Sequence, residues 1–137
     1  MAEQKATAKF LRQKESIEKY LLHFKAEVEE RLRKIYDGLI GLKNDGFAVD
    51  AVSPQAAIYL TIKFNLVGKT IKDGKVLKNQ SEVTDYLLSE GKLAVVPFYA
   101  FGDEKESPWY RLSVGTCKKE EIGKMLGMLK EALKKLH

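Results

Sequence analysis

The 137-residue sequence has little of several residue types on which particular protein classes depend. It contains one cysteine, Cys117, so no disulfide can form within the chain. Its two histidines, His23 and His137, have no partners at metal-ligand spacing, so no metal site is predicted. The longest apolar run, residues 93–101, is far too short to cross a bilayer. A disulfide-stabilised protein, a histidine-based metalloprotein and a membrane-spanning protein are therefore not expected.

Charge of one sign is not concentrated anywhere in the chain. The net charge of +5 comes from 24 basic and 19 acidic residues, and no block of five like charges occurs. Nucleic-acid-binding surfaces normally cluster lysine and arginine on one face, so no nucleic-acid partner is expected. The start of the chain also lacks the apolar segment of a signal peptide, and we expect a cytoplasmic location.

What the sequence does contain is typical of one folded domain, with 45% hydrophobic and 31% charged residues. Apolar residues recur every three or four positions over residues 16–44, which predicts a long amphipathic helix that begins at Ser16 and ends before Gly46. At roughly 40 Å, this helix is longer than so small a domain needs. Residues 3–13 predict a separate short helix.

After residue 47 the apolar period changes to two, which predicts strands. We expect strands at residues 48–52, 57–65, 92–97 and 109–115, and a hairpin over residues 70–78. A helix over residues 81–91, capped by Asn79 or Ser81, and a final helix with an apolar stripe from Ile122 to Leu136 complete the pattern. The sequence thus predicts an α+β fold, a small antiparallel or mixed sheet of three to five strands covered by helices on one face, preceded by a long N-terminal helix.

A positive charge, Arg111, lies in the middle of the last predicted strand. Alternation along WYRLSVG places Tyr110, Leu112 and Val114 on one face and Trp109, Arg111 and Ser113 on the other. The first of these sets is the more apolar and is expected to pack against the helices. We therefore expect Arg111 on the opposite face, beside Trp109 and next to the aromatic loop 98–102. A guanidinium there is suited to bind a carboxylate through two parallel hydrogen bonds. Pairing with a surface carboxylate of the same chain is the alternative, and periodicity alone does not decide between them.

Several segments occur in an order that resembles a known family. They are SPQAAIYL (53–60), LLSEG (87–91), LAVVPFYAFG (93–102), WYRLSVG (109–115) and the apolar stripe of the last helix. This order is similar to the C-terminal small domain of class I/II, fold type I, pyridoxal-phosphate-dependent aminotransferases of the aspartate aminotransferase kind. The most specific part of the resemblance is the loop from Pro97 to Gly102 followed by Arg111.

The resemblance implies a role for four residues. Arg111 would bind the α-carboxylate of an amino-acid or 2-oxo-acid substrate. Phe101 would line the substrate pocket, with Phe98 and Tyr99 as further contributors. No catalytic residue, cofactor-binding residue or metal ligand is assigned in this chain.

Some family features are altered or missing. Phe98 follows Pro97 where the family usually has glycine, and Ala56 stands where a glycine often follows the proline-containing turn. Larger side chains change the pocket wall, so side-chain selectivity cannot be inferred. The Ser-x-x-Lys sequence from Ser16 to Lys19 lies on the first helix without the rest of the cofactor-lysine motif.

The resemblance therefore implies a fragment of a larger enzyme. Residues 1–15 would be a short helical lead-in from a missing large domain, and residues 16–137 would be the small domain. The parent would be a homodimer that uses pyridoxal phosphate to transfer amino groups between amino acids and 2-oxo acids. The chain alone is expected to bind no cofactor, to be inactive and to be prone to self-association.

A second hypothesis is a standalone α+β module that binds an acidic ligand or RNA. Trp109, Tyr59 and Lys63 would then share an open sheet face and bind by stacking and charge. The acidic loop residues Asp103, Glu104 and Glu106 are interpreted as solvated rather than as a cation site.

Overall fold

A computed structural model describes residues 1–115 and 117–137, in which four helices accompany a four-stranded antiparallel sheet. The helices are α1 (Ala2–Leu11), α2 (Lys14–Asn44), α3 (Gln80–Ser89) and α4 (Ile122–Lys134). The strands are β1 (Val49–Ala51), β2 (Tyr59–Phe64), β3 (Val96–Pro97) and β4 (Trp109–Ser113), in the order β1-β2-β4-β3. Short 3₁₀ turns lie at Phe98–Phe101 and Lys119–Glu121. The predicted α+β fold with a long N-terminal helix is confirmed.

The long helix α2 is buried along only half of its length. Its buried residues are Val28, Leu32, Ile35, Leu39 and Leu42. The predicted stripe continues towards the N-terminus, but Tyr20 and Leu21 are exposed, and α1 has no buried residue. The helical pattern in the sequence is therefore correct, whereas burial of the stripe begins only at Val28.

Helices α2 and α4 approach each other closely at a glycine. A Cβ atom built on Gly38 would collide with the side chain of Leu126 on α4. The absence of a side chain at Gly38 lets the two helices pack together above the sheet. The long helix is thereby fixed over the core by its second half.

The core lies on one face of the sheet because the strands alternate. In β2 the residues Leu60, Ile62 and Phe64 are buried, and in β4 the residues Tyr110 and Leu112 are buried. The two strands pair so that Leu60 faces Leu112 and Ile62 faces Tyr110. The other face carries Tyr59, Thr61, Lys63, Trp109, Arg111 and Ser113, none of which is buried. We call this second side the open face.

Two of the predicted strand regions have fewer paired residues than expected. Strand β3 contains two paired residues, and the 70–78 segment contributes two isolated bridges, Thr70 with Val76 and Ile71 with Leu136. Thr70 also exchanges two backbone hydrogen bonds of 3.0 Å with His137, so this segment binds the end of the chain. The pairings with Leu136 and His137 join residues far apart in sequence, which local periodicity does not reveal.

Among the residues that the structure describes, none of the helices combines the length and the hydropathy needed to span a lipid bilayer.

Candidate functional site

Arg111 is held at the centre of the sheet. Its strand β4 lies between two others, and Arg111 is paired with Thr61 of β2 and Val96 of β3. The side chain is half-buried and points to the open face, as alternation along the strand predicts. The backbone that carries the guanidinium is therefore fixed from both sides.

Two aromatic rings lie next to the guanidinium. The Cζ atom of Arg111 is 3.3 Å from the ring centroid of Tyr59 and 5.2 Å from that of Phe101. Tyr59 pairs with Ser113, two residues beyond Arg111 on β4, so its ring reaches Arg111 diagonally across the sheet. We call Tyr59, Phe101 and Arg111 the arginine–aromatic cluster.

No carboxylate of the described residues forms an ion pair with Arg111. Over residues 1–115 and 117–137, eleven ion pairs occur and Arg111 takes part in none of them. A surface ion pair, the alternative interpretation of this residue, is thus absent among these residues. A carboxylate from outside can therefore approach the guanidinium without displacing a charged partner.

The aromatic loop takes its shape from a 3₁₀ turn that ends in a glycine. Residues Phe98–Phe101 form the turn, and Gly102 follows with φ of 94°, a left-handed conformation that favours glycine. The rings of Phe98 and Phe101 meet edge to face, with centroids 6.5 Å apart and an angle of 89° between their planes. Phe98 therefore supports the Phe101 ring that lies near Arg111.

Tyr99 belongs to the same turn as Phe98 and Phe101 and is half-buried. Burial raises the pKa of Tyr110 to about 12, and Tyr99 adds a smaller contribution in the same direction. Among the four predicted site residues, Phe98 contacts Phe101 and Phe101 lies near Arg111, whereas Tyr99 takes part in neither of these two contacts.

The loop between β3 and β4 is anchored to the start of α3. The buried hydroxyl of Tyr110 donates a 2.6 Å hydrogen bond to Oε1 of Gln80. The backbone N–H of Gln80 donates to the Glu106 carboxylate at 3.1 Å, and its side-chain amide donates to the Glu106 carbonyl. These contacts attach the C-terminal part of the loop, from Glu106 to Tyr110, to the start of α3.

The acidic residues of this loop serve local hydrogen bonds. Hydrogen bonding with Ser107, and then with the backbone N–H of Glu104, lowers the pKa of Asp103. Glu106 is engaged by Gln80. Within the two described ranges, no three His, Cys, Asp or Glu side chains are grouped so that they could hold a metal ion.

A second cation–aromatic pair lies on the open face. The sequence predicts Trp109 beside Arg111 on this face, and alternation along β4 places both residues there. The Lys63 ammonium lies over the Trp109 ring at 5.4 Å from its centroid, whereas the rings next to the Arg111 guanidinium are those of Tyr59 and Phe101. The alternation pattern placed Tyr59 on the polar side of its strand, but its contact with Arg111 depends on the register between β2 and β4, which the sequence does not reveal.

Comparison with known proteins identifies the family of this domain. Residues 2–129 match the family described as aminotransferase class I and II. A probable aspartate/prephenate aminotransferase of Rickettsia bellii is 40% identical over 72 residues, which is 52% of this chain and 17% of that protein. An aspartate aminotransferase of Rhizobium meliloti is 31% identical over 114 residues, or 82% of this chain and 25% of that protein.

A solved structure supports the same assignment. The crystal structure of the aspartate aminotransferase from Rhizobium meliloti matches 82% of this chain and 26% of its own chain, with a TM-score of 0.68 and 28% sequence identity. The present chain thus spans about a quarter, or less, of the length of the relatives it matches. The sequence match over most of its length and the shared fold show that this chain belongs to the aminotransferase class I and II family.

Proposed function

We propose that residues 16–137 act as the small domain of a pyridoxal-phosphate-dependent aminotransferase and that Arg111 binds the α-carboxylate of its amino-acid or 2-oxo-acid substrate. The observation that carries this proposal is a guanidinium on an open sheet face, stacked on an aromatic ring and paired with no carboxylate of the described residues. Family membership supplies the reaction class. The names of the relatives support a substrate range that includes aspartate.

The contribution of this chain would be binding and orientation. A carboxylate held by two parallel N–H groups of Arg111 has one fixed direction, which places the reacting carbon of the substrate relative to the rest of the enzyme. Phe101, supported by Phe98, would form an apolar wall beside that carboxylate. Such a wall excludes water and strengthens the charge interaction.

Pyridoxal phosphate would be the cofactor of the whole enzyme, but the residues described here do not form a site for it. Two Ser-x-x-Lys sequences occur in the chain. Ser16 to Lys19 lies on exposed turns of α2, ahead of the first buried residue of that helix, and Ser89 to Lys92 lies at the end of α3, where the exposed Lys92 ammonium donates to the Ser89 carbonyl. Both lysines stay in water with no enclosing surface. We therefore propose that a separate large domain holds the cofactor and that the present chain alone does not catalyse transamination.

The surface of α2 fits a partner of this kind. Its first half exposes large apolar side chains, namely Tyr20, Leu21, Leu22 and Phe24. An apolar groove of about 530 Å³ runs between α2 and the 54–58 segment, lined by Val28, Leu32 and Ile58 among others. The proposed large domain would cover these surfaces, with residues 1–15 as the connection to it. Homodimerisation of the whole enzyme and a cytoplasmic location stay predictions.

The arginine assignment is tested in a protein that joins this chain to the large domain. The substitution Arg111→Lys keeps the charge but loses the planar pair of donors, and we expect kcat/KM to fall about 10- to 100-fold. Lys63→Met removes the other cation of the open face and is the matched control, with an expected change below about twofold. An Arg111→Lys enzyme as efficient as the parent contradicts the assignment.

The cofactor assignment is tested on the chain itself. After incubation with pyridoxal phosphate and reduction with borohydride, peptide mapping is expected to show only scattered, substoichiometric lysine labelling. A stoichiometric adduct at one lysine contradicts the proposal that the cofactor site lies in another domain.

One observation favours a second candidate function, a standalone module for an acidic ligand or RNA. The open face carries two cation–aromatic pairs, Arg111 with Tyr59 and Lys63 with Trp109. Such pairs suit stacked bases and phosphates. Binding of a single-stranded RNA oligonucleotide that weakens steeply between 50 and 200 mM salt, about tenfold or more, would favour this module over the enzyme domain.

A further inference from the structure

We propose that Tyr59 is a positioning residue whose ring fixes the plane of the Arg111 guanidinium and thereby the direction from which a carboxylate can bind. The inference rests on the proposed function, in which Arg111 binds the α-carboxylate. It adds a residue of a different strand to the site. Tyr59 acts through Arg111.

The stacking geometry follows from one distance. The Cζ atom of Arg111 is 3.3 Å from the centroid of the Tyr59 ring. Since guanidinium C–N bonds are about 1.3 Å long, a nitrogen pointing at the ring would lie about 2 Å from the centroid, well inside non-bonded contact. The guanidinium must therefore lie flat on the ring, with its plane nearly parallel to the phenol.

A flat guanidinium has its donors in a predictable place. All of its N–H groups lie in its own plane, so on Tyr59 they point outward, parallel to the ring and not into it. A carboxylate that accepts two parallel hydrogen bonds must then approach edge-on, above the sheet surface. Stacking in advance also spares the long arginine side chain part of the rotamer entropy it would lose on binding.

The position of Tyr59 is itself fixed by the sheet. Its neighbour Leu60 is buried against the core, and Tyr59 is paired with Ser113 in the register that joins β2 to β4. The Tyr59 side chain is nevertheless on the open face, and the residue is 38% exposed. Substitutions of this ring are therefore expected to leave the core and the ladder intact.

The experiment uses nitrogen-15 NMR of the chain, in which only four arginines contribute side-chain Nε–H signals, namely Arg12, Arg31, Arg33 and Arg111. The probes are pyruvate, a 2-oxo acid, and pyruvamide, its uncharged analogue. In the unaltered chain we expect the Arg111 Hε signal upfield of those of Arg12 and Arg33, because it lies over a ring. We expect this signal to move with pyruvate and to remain in place with pyruvamide.

Two variants separate the ring from its hydroxyl. Tyr59→Phe keeps the stack and is expected to keep the upfield position and the response to pyruvate within about twofold. Tyr59→Leu removes the stack, and we expect loss of the upfield position and a response at least about threefold weaker. The recovery in the phenylalanine variant is the readout that a merely structural role of Tyr59 would not produce.

The possible failures are distinguishable. No response of Arg111 to pyruvate in the unaltered chain contradicts the proposed carboxylate-binding function. An equal response in the unaltered chain and in Tyr59→Leu overturns the positioning role and leaves that function standing. If Tyr59→Leu does not fold, the unaltered chain still decides, because an Arg111 Hε signal at the position of the Arg12 and Arg33 signals contradicts the stack itself.

Discussion

At the scale of single residues, Tyr110 and Arg111 are neighbours with opposite environments. Tyr110 is fully buried, and its hydroxyl donates to Gln80 Oε1 at 2.6 Å. Burial raises the pKa of Tyr110 to about 12, so this phenol stays protonated and remains a donor at any physiological pH. Arg111, one position further, faces outward and has no carboxylate partner in the described residues.

We predict that Tyr110→Phe lowers the free energy of unfolding by about 1–2 kcal/mol, because it leaves the buried Gln80 oxygen without its donor. Urea denaturation followed by circular dichroism measures this value. Tyr59→Phe removes a hydroxyl from an exposed tyrosine and is the control, with almost no expected change. Equal stability of Tyr110→Phe and the unaltered chain would mean that the buried hydrogen bond contributes nothing net.

The residues of the candidate site were predictable from the sequence to different degrees. Alternation along one strand is local information, and it was sufficient to direct Arg111 to the open face. The contact between Arg111 and Tyr59 depends on which residues of β2 and β4 are opposite each other, and that register joins positions about 50 apart in the chain. The sequence therefore predicted the cation but not the ring beneath it.

At the scale of elements, local signals predicted the helices well. Asn79 caps α3 by accepting a 3.0 Å hydrogen bond from the Glu82 N–H, which decides between the two predicted caps, Asn79 and Ser81. Glu82 in turn accepts from the backbone N–H of Lys78 at 2.8 Å. This reciprocal pair resembles a capping box and is encoded within five residues, so it is visible in the sequence.

The close packing of α4 on α2 predicts that the same substitution has opposite effects on stability at two glycines of α2. Gly38→Ala places a methyl group against Leu126, and we expect a loss of about 1 kcal/mol in the free energy of unfolding. Gly41→Ala meets no heavy atom within 4 Å, and we expect a gain of up to about 1 kcal/mol from helix propensity. Urea denaturation of both variants measures the difference.

Both variants replace glycine by alanine in the same helix. The general effect of alanine on helix stability is therefore the same in both and cancels in their difference. If both glycine substitutions stabilise the protein equally, the close approach of α4 to Gly38 is wrong. If Gly38→Ala alone destabilises it, the crossing point is confirmed.

At the scale of the whole molecule, a network of ion pairs joins the 119–121 turn to the long helix α2. Lys119 binds Glu27 at 2.9 Å and Glu30 at 2.7 Å. Hydrogen bonding from Lys119 is the largest cause that lowers the pKa of both carboxyl groups, that of Glu30 to about 2. The 119–121 turn is thereby attached to α2.

We predict that this network makes stability depend on acid pH. Because the pKa of Glu30 is lower in the folded chain than its ordinary value near 4.5, its contribution is complete above pH 4.5 and disappears as the pH falls towards 2. Lys119→Met should therefore be less stable than the unaltered chain at pH 6, and the difference should shrink between pH 4.5 and 2. Thermal unfolding at several pH values measures this, and a difference independent of pH contradicts it.

The first thirteen residues lie outside the folded core. No residue of α1 is buried, and the buried residues of α2 begin at Val28. We predict that deletion of residues 1–13 leaves the melting temperature of the chain unchanged within about 2 °C, because no apolar surface of the core is uncovered. A larger fall would show that α1 packs against the body of the domain in solution.

In the two central strands of the sheet, odd-numbered and even-numbered residues lie on opposite faces. In β2 and β4 the even-numbered side chains fill the core, whereas the odd-numbered ones face outward and include Tyr59 and Arg111. Variation at odd positions can therefore change the chemistry of the open face with little effect on folding. Even positions have no such freedom, so new properties of this face are expected to arise by changing every second residue.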